Sequence, residues 1–263
     1  MPRFSPLLAA LVVALPPVPI PGPGPGPGIG PMLEQLWERV LSPIRDVKVP
    51  ADLIDLGNWY LTLPTGKKGD PDDVYPPALE SFVDDWFRLN DARDAIVFRA
   101  NAGGATTKNS KYPRSELREM QGGRLASWSN GSGTHSMSLR QAVTRLPEAK
   151  PHVVTAQIHD EDSDVVMVRL EGTQLKVEYD NARDEIVIDP DYELGTPYDL
   201  RIVATDRKVQ VFYDGKPAAD LPLSGDGWYF KTGSYVQSNP ERGDAPDAVA
   251  EVVLYSLKVE HSG

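Results

Sequence analysis

The chain has 263 residues, no cysteine and a formal net charge of −11. The lack of cysteine excludes disulfides, thiolate metal sites and cysteine nucleophiles. The acidic balance argues against general attraction to nucleic acid or to an anionic membrane. A domain of about two hundred residues can bury a core without cross-links. An acidic protein can still bind a polyanion where its basic residues gather, so local clusters of arginine and lysine are informative.

The first fifty residues differ in composition from the rest. Residues 1–20 have the pattern of a secretory signal peptide, because Arg3 precedes the apolar run Leu7–Ala14, which is too short to span a bilayer. A disordered apolar tail is the alternative. Residues 21–50 begin with the Pro-Gly repeat Pro21–Gly28, which predicts a linker, and apolar residues at helical spacing in Met32–Val40 predict a short helix. We therefore expect a secreted, extracellular protein whose main domain occupies residues 51–263.

Beyond residue 50 the sequence changes to short β-type runs separated by turn residues. Hairpin turns are predicted at Asp214-Gly215 and at Thr205–Arg207. Many antiparallel strands with few helices predict an all-β jelly-roll sandwich, in which a curved sheet often presents a concave polar cleft. The predicted strands are Trp59–Leu63, Ala95–Arg99, Ser115–Met120, Thr134–Val143, His152–His159, Val165–Leu170, Gln174–Tyr179, Ile186–Ile188, Tyr198–Ala204, Lys208–Tyr213, Tyr229–Gln237 and Ala248–Val259.

A basic segment follows a loop of small polar residues that is either a mobile lid or a long connection. Strand alternation places Arg114, Glu116 and Arg118 on one face. One carboxylate between two guanidiniums would fix both of them, and an ordered arginine can bind a ligand carboxylate through two parallel hydrogen bonds. A salt-bridge ladder that serves only solubility is the alternative.

The next β-type run ends in an amide and an imidazole. Alternation places Gln157 and His159 on one face and turns Ile158 inward. A lone histidine is more often structural than catalytic, and both interpretations are open here. The aspartates that follow, Asp160, Asp162 and Asp164, alternate like a calcium loop but lack its glycine and its distal glutamate. A solvated acidic turn is therefore expected, and no metal site is predicted.

The strand near the C-terminus carries a polar face. Tyr229, Lys231, Gly233, Tyr235 and Gln237 alternate with small and apolar residues. Two phenols, an ammonium and an amide, with a glycine that leaves room between them, suit the floor of a groove for an anionic, hydroxyl-rich ligand. An exposed strand face that is polar without functional reason is the alternative.

Together, Arg114–Arg118, Gln157–His159 and Tyr229–Gln237 resemble the three signature motifs of the family 7 polysaccharide lyases, the alginate lyases. The order and approximate spacing of the motifs are similar as well. The flanking segments Leu56–Pro64, Leu194–Asp199 and Val253–His261 also resemble strands of that family, so the resemblance covers about residues 53–261. The family's β-jelly roll with a concave cleft agrees with the predicted strands.

The resemblance implies that the chain cleaves alginate, a 4-linked uronan, by β-elimination. Such a reaction requires neutralisation of the C5 carboxylate, removal of the C5 proton and protonation of the departing O4. By resemblance, Arg114 and Gln157, with His159 nearby, neutralise the carboxylate. Tyr235 protonates O4, and His159 is the base towards guluronate. Towards mannuronate, Tyr235 could act as both acid and base.

The remaining roles implied by the resemblance concern substrate binding. Glu116 and Arg118 would hold Arg114 and contact neighbouring sugars, and Lys231 and Gln237 would bind at subsites. The side chains supply the neutralising charge, so no metal and no cofactor are expected. We expect a monomer that binds an anionic polysaccharide, and neither nucleic acid nor a membrane. Ile158 in the second motif is typical of enzymes that act on guluronate-containing blocks, and cleavage is expected to be endolytic.

Two other functions remain open at the level of sequence. One is a lyase for another uronan, such as a glucuronan. The other is a lectin-like jelly roll that binds alginate without cutting it, although a pure binder would need neither the histidine nor the tyrosine.

Overall fold

The computed structural model describes residues 46–263. The predicted signal peptide and nearly all of the predicted linker and helix lie outside this range. Within it, no helix is long and apolar enough to cross a membrane. Helical structure in this part of the chain consists of three short 3-10 turns, at Pro50–Asp52, Ala78–Ser81 and Pro240–Arg242.

Sixteen strands make up most of the described domain, and all pairings between neighbouring strands are antiparallel. The strands are β1 (Trp59–Lys67), β2 (Asp70–Val74), β3 (Phe87–Leu89), β4 (Ile96–Asn101), β5 (Arg114–Gln121), β6 (Arg124–Leu125), β7 (Thr134–Arg145), β8 (His152–His159), β9 (Asp164–Glu171), β10 (Gln174–Tyr179), β11 (Asp184–Asp189), β12 (Tyr198–Thr205), β13 (Lys208–Tyr213), β14 (Lys216–Leu221), β15 (Tyr229–Val236) and β16 (Val249–Ser262).

The strands form two sheets. One has nine strands in the order β11-β10-β9-β8-β15-β5-β1-β2, with β6 paired to β5, and the other has seven in the order β14-β13-β12-β7-β16-β4-β3.

The predicted jelly-roll sandwich is confirmed. All twelve predicted strands are present, three of them with the predicted bounds and nine with shifted ends, and β2, β3, β6 and β14 were missed. Three of the missed strands lie at sheet edges, and the fourth has two residues. Edge strands tolerate the prolines and charges that their sequences contain.

The strands in the middle of the nine-stranded sheet divide their side chains between two environments. Leu117, Ile158 and Phe230, from β5, β8 and β15, are fully buried in the core between the sheets. Burying each such side chain contributes about 1.5–3 kcal/mol to folding. The residues that alternate with them must therefore point to the other face, which places the polar side chains of all three strands on one surface.

Gly233 lies where β15 passes very close to β5. Its φ is +145°, and a Cβ atom at this position would lie 2.4 Å from the carbonyl oxygen of Ser115 and 2.8 Å from Cα of Glu116. The pairing of β15 with β8 also shifts register between Thr232 and Tyr235. A residue with a side chain would fit neither this backbone conformation nor the close approach to β5. Gly233 therefore determines how the two halves of β15 pair with the neighbouring strands.

We expect Gly233→Ala to lower the free energy of unfolding by about 2–4 kcal/mol, because it adds both backbone strain and overlap with β5. Gly172→Ala is the matched control, since Gly172 has φ +61° and no atom within 4 Å of the added Cβ. The control should cost about 1 kcal/mol, from backbone strain alone. Urea unfolding followed by circular dichroism measures the stability of both variants. Equal losses of unfolding free energy would show that the close approach of β5 does not add to the cost of replacing Gly233.

Candidate active site

The register of β5, β15 and β8 brings the three predicted motifs together. Across β15 and β5, Lys231 lies opposite Arg118 and Tyr235 opposite Arg114. Across β15 and β8, Tyr229 lies opposite His159. The three strands are adjacent in the nine-stranded sheet, so segments far apart in sequence share one face. His159 and Tyr235 lie on the same side of the sheet as Arg114.

A cavity of about 320 Å³ opens over this face. Of the predicted site residues, Arg114, Arg118, His159, Lys231 and Tyr235 line it. The other lining residues come from β1, from the loop before β5, from the turn between β8 and β9 with the first residue of β9, and from the start of β15: Tyr60, Thr62, Thr107, Lys108, Asn109, Ser110, Glu161, Asp162, Ser163, Asp164 and Tyr229. A neighbouring cavity of about 520 Å³ shares Ser110 but none of the other residues that line the first cavity.

A buried carboxylate, Glu116, connects the charged groups beneath the cavity. Lys231 Nζ lies 2.5 Å and Arg114 Nη1 3.1 Å from Glu116 Oε2, and the Gln157 amide donates to the other oxygen. Burial alone would raise the pKa of Glu116, but the charges of Lys231 and Arg114 lower it below its ordinary value. Burial, followed by repulsion from Arg114, lowers the pKa of Lys231 to about 8, although Glu116 opposes the shift. The two cations and one anion leave the group with a single positive charge.

Two arginines pack against aromatic rings at the cavity. The guanidinium carbon of Arg114 lies 3.7 Å from the centre of the Tyr235 ring, and that of Arg118 lies 3.9 Å from the centre of the Tyr229 ring. Arg118 also donates to the hydroxyl of Tyr60 at 3.3 Å. Burial raises the pKa of Tyr229 to about 12 despite the opposing charge of Arg118, so this phenol stays neutral.

The imidazole of His159 has a partner at each nitrogen. Nδ1 contacts the carbonyl oxygen of Asp160 and lies 3.1 Å from the Tyr229 hydroxyl, whereas Nε2 lies 3.2 Å from Asp164 Oδ1. The ring also stacks on Tyr229, with 5.5 Å between ring centres. A carbonyl oxygen can only accept a hydrogen bond, so Nδ1 carries a proton and Nε2 is the nitrogen able to act as a base.

The hydroxyl of Tyr235 lies 2.9 Å from Ser110 Oγ, in the loop before β5. Ser110 is fixed in turn by Tyr112, since its Oγ donates to the Tyr112 carbonyl oxygen at 3.1 Å and accepts from the Tyr112 amide at 3.0 Å. With its only proton on that carbonyl, Ser110 accepts from Tyr235, which orients the phenol.

Three of the predicted site residues are not among those that line the cavity. Glu116, Gln157 and Gln237 are buried and do not line the cavity. The interpretation of Glu116 as a carboxylate that fixes two arginines was wrong in one respect. It binds Arg114 and Lys231, whereas Arg118 packs against Tyr229 and Tyr60. The physical reason is that β15 places the ammonium of Lys231 beside the carboxylate, where it contacts the same oxygen, Oε2, as Arg114 does.

Sequence reasoning placed Tyr229 on the polar face of its strand, as part of a groove floor, and the structure agrees because Tyr229 lines the cavity. Sequence reasoning did not assign a functional role to Ser110, Tyr60 or Asp164. The contacts of Ser110, Tyr60 and Asp164 depend on strand register and loop path, which alternation within one strand does not reveal. In residues 46–263, no group of three or more histidine, aspartate or glutamate side chains is arranged to hold a metal ion.

Comparison with known proteins identifies the family. Residues 54–261 match the family model described as alginate lyase. The chain belongs to the alginate lyase family. It is therefore a polysaccharide lyase, and the match covers nearly all of the part that the structure describes.

Solved relatives have the same fold. Alginate lyase AlgAT5, from polysaccharide lyase family 7, is 47% identical with a TM-score of 0.79, and the alignment covers 82% of this chain and 100% of that one. An alginate lyase from Corynebacterium sp. is 42% identical with a TM-score of 0.77, over 81% and 98% of the two chains. A curated alginate lyase from Klebsiella pneumoniae is 39% identical over 79 residues, which is 28% of this chain and 25% of that protein. This chain thus matches about a quarter of that relative's length.

The lowered pKa of Lys231 predicts how this lyase binds an anionic polysaccharide as pH rises. Above about pH 8 the ammonium loses its proton, and its partners Arg114 and Glu116 then cancel each other's charge. We expect the KM for the polymer to rise about fivefold between about pH 7 and about pH 9, since losing one positive charge at the solvent-open cavity should weaken polyanion binding by about 1 kcal/mol.

The matched variant for this measurement is Lys231→Arg, because a guanidinium stays charged throughout that pH range. Its KM should stay nearly constant from neutral to alkaline pH. An equal rise of KM in this variant would show that Lys231 is not the group responsible.

Proposed function

We propose that this alginate lyase cleaves alginate inside the polymer by β-elimination, favours guluronate-containing blocks and acts as a monomer. The observation that carries the proposal is that one cavity is lined by His159, Tyr235 and Arg114. Related structures support the choice of substrate. Variants of alginate lyase A1-II′, 26% and 27% identical to this chain, are described in complex with a substrate written GGMG and a product written GGG.

His159 is the base in this proposal. Nδ1 is fixed as a donor to the Asp160 carbonyl oxygen, so Nε2 takes the C5 proton. The electrons of the broken C5–H bond form the C4=C5 double bond, and the C4–O4 bond breaks. Tyr235 gives its proton to the departing O4. The imidazolium then loses a proton and the phenolate regains one through solvent, so the enzyme returns to its starting state.

The developing negative charge on the sugar carboxylate is met by the cationic group of the cavity. Arg114 and Lys231 both reach the cavity, and buried Glu116 holds them side by side. Gln157 acts mainly through Glu116, to which its amide donates. Fixed charges in a partly buried site stabilise an anion better than mobile ones, because they need no reorganisation during the reaction.

The positions of base and acid suit guluronate. His159 lies opposite Tyr229 at one end of β15, and Tyr235 is six positions further along that strand. At about 3.3 Å per residue, these backbone positions are well separated. In guluronate the C5 proton and the C4 leaving group lie on opposite sides of the ring, so a base and an acid that approach from opposite ends can act on one sugar.

We expect His159→Ala and Tyr235→Phe each to lower kcat by about a hundredfold to ten-thousandfold, the range that general acid–base groups contribute. Formation of the unsaturated product, followed by its ultraviolet absorbance on alginate, measures the loss. Tyr60→Phe is the control for Tyr235, because it removes a phenol oxygen from the same cavity without removing the proposed acid. Full activity in both His159→Ala and Tyr235→Phe, with unchanged circular dichroism, would refute the assignment.

Cleavage inside the polymer predicts a rapid fall in the viscosity of alginate while few new chain ends have formed. We expect guluronate and mixed blocks to be cut faster than mannuronate blocks, with glucuronan left intact. Viscometry and product analysis on this panel of pure polymers provide the measurement. A slow loss of viscosity with immediate release of small products would indicate attack from chain ends, and activity on glucuronan alone would indicate a different substrate.

We also propose that the protein is secreted, with residues 1–20 as its signal peptide and residues 21–50 as a linker before the lyase domain at 51–263. Arg3 and the apolar run Leu7–Ala14 support this organisation. N-terminal sequencing of the protein recovered outside the producing cell tests it, since an intact Met1 would contradict it.

A further inference from the structure

The His159 ring is held between two oxygen atoms that cannot donate hydrogen bonds. One is the Asp160 carbonyl oxygen at Nδ1, and the other is Asp164 Oδ1, 3.2 Å from Nε2. The nearby Tyr229 hydroxyl donates to the same Asp160 oxygen at 3.0 Å, so it does not supply the proton at Nδ1. With Nδ1 protonated, the contact at Nε2 becomes attractive once that nitrogen also carries a proton.

A doubly protonated ring is an imidazolium, and the Asp164 carboxylate lies where it can stabilise that charge. A neutral ring in the same orientation would turn the Nε2 lone pair against a negative oxygen. Burial raises the pKa of Asp164, but the hydrogen bond and charge of His159 outweigh this effect and the pKa lies below its ordinary value. The pair is partly shielded, with 21% of the His159 and 37% of the Asp164 side chain exposed.

We propose that Asp164 is a positioning residue for His159: its carboxylate lies beside Nε2 and stabilises the ring once the ring has taken the C5 proton. This inference rests on the proposed role of His159 as the base. In the neutral ring, Nε2 carries the lone pair that takes the C5 proton. After proton transfer, the new N–H finds the carboxylate within hydrogen-bond reach, so the charge formed in the reaction is offset where it forms.

Some of the other groups around the ring favour a positive charge on it, and others oppose one. On β15, Tyr229 stacks on the imidazole and stays neutral, whereas Lys231 on the same strand and two arginines of β5 oppose a positive ring. The turn after β8 adds acidic side chains that favour a positive ring. Of the acidic side chains in this turn, Asp164 is the one that reaches Nε2, at 3.2 Å. Besides Lys231 and Asp164, the charged groups near the ring are Arg114, Glu116, Arg118, Asp160, Glu161 and Asp162.

The test compares the pH dependence of kcat/KM in Asp164→Asn and Asp162→Asn. Both variants remove one negative charge from the same part of the cavity rim, but Asp162 is exposed, whereas Asp164 lies 3.2 Å from Nε2 of the ring. In Asp164→Asn we expect the acid limb of the profile to move to lower pH, because the carboxylate that favours the protonated ring is gone. The expected movement is about one pH unit, the lower end of the range for a nearby opposite charge. We also expect kcat at the optimum to fall about tenfold.

Asp162→Asn should leave the acid limb near its wild-type position, and Asp164→Glu should restore part of kcat because it returns the carboxylate. An unmoved acid limb in Asp164→Asn, or an equal movement in Asp162→Asn, would overturn the inference. If His159→Ala loses activity while Asp164→Asn behaves like the wild type, only the role of Asp164 fails. If His159→Ala keeps full activity, the proposed mechanism and this inference fail together.

Discussion

The buried carboxylate of Glu116 is the constraint on which the site depends. An isolated carboxylate at this depth would be strongly unfavourable, so it must have charged partners. Its charged partners are Arg114 on its own strand and Lys231 on β15, and the neutral amide of Gln157 on β8 donates to its other oxygen. Because three neighbouring strands supply these groups, the same contacts that satisfy the carboxylate also fix the lateral alignment of β5, β15 and β8. One positive charge remains, and it faces the cavity.

Much of this arrangement could be predicted from the sequence, because a strand repeats every two residues. Leu117, Ile158 and Phe230 had to face the core, and this alone determined the face of Arg114, His159 and Tyr235. The edge strands could not be predicted in the same way. The sequence of β2, Asp-Pro-Asp-Asp-Val, has weak β propensity, and the strand forms because β1 offers it a pairing edge.

The partner of each charge was beyond sequence reasoning, because partners across strands depend on register. Arg118 was expected to share Glu116, yet Lys231 from β15 occupies that place and Arg118 packs on Tyr229 instead. Asp164 was expected in a solvated acidic turn, yet the short connection after β8 brings it back to the ring of His159. In both cases the residue types were visible in the sequence, but the contacts came from how neighbouring strands align.

The charge distribution explains how an acidic protein can act on a polyanion. The chain carries a net charge of −11, whereas Arg114, Arg118 and Lys231 converge on one cavity, with Lys108 at its rim. Repulsion from the rest of the surface disfavours unproductive contacts with the polymer and leaves the cavity as the attractive region. The acidic side chains near His159 work against binding, but they lie where the proposed mechanism places a proton on the ring. Anionic groups at this end of the cavity are therefore consistent with a site that must bind a carboxylate and also stabilise an imidazolium.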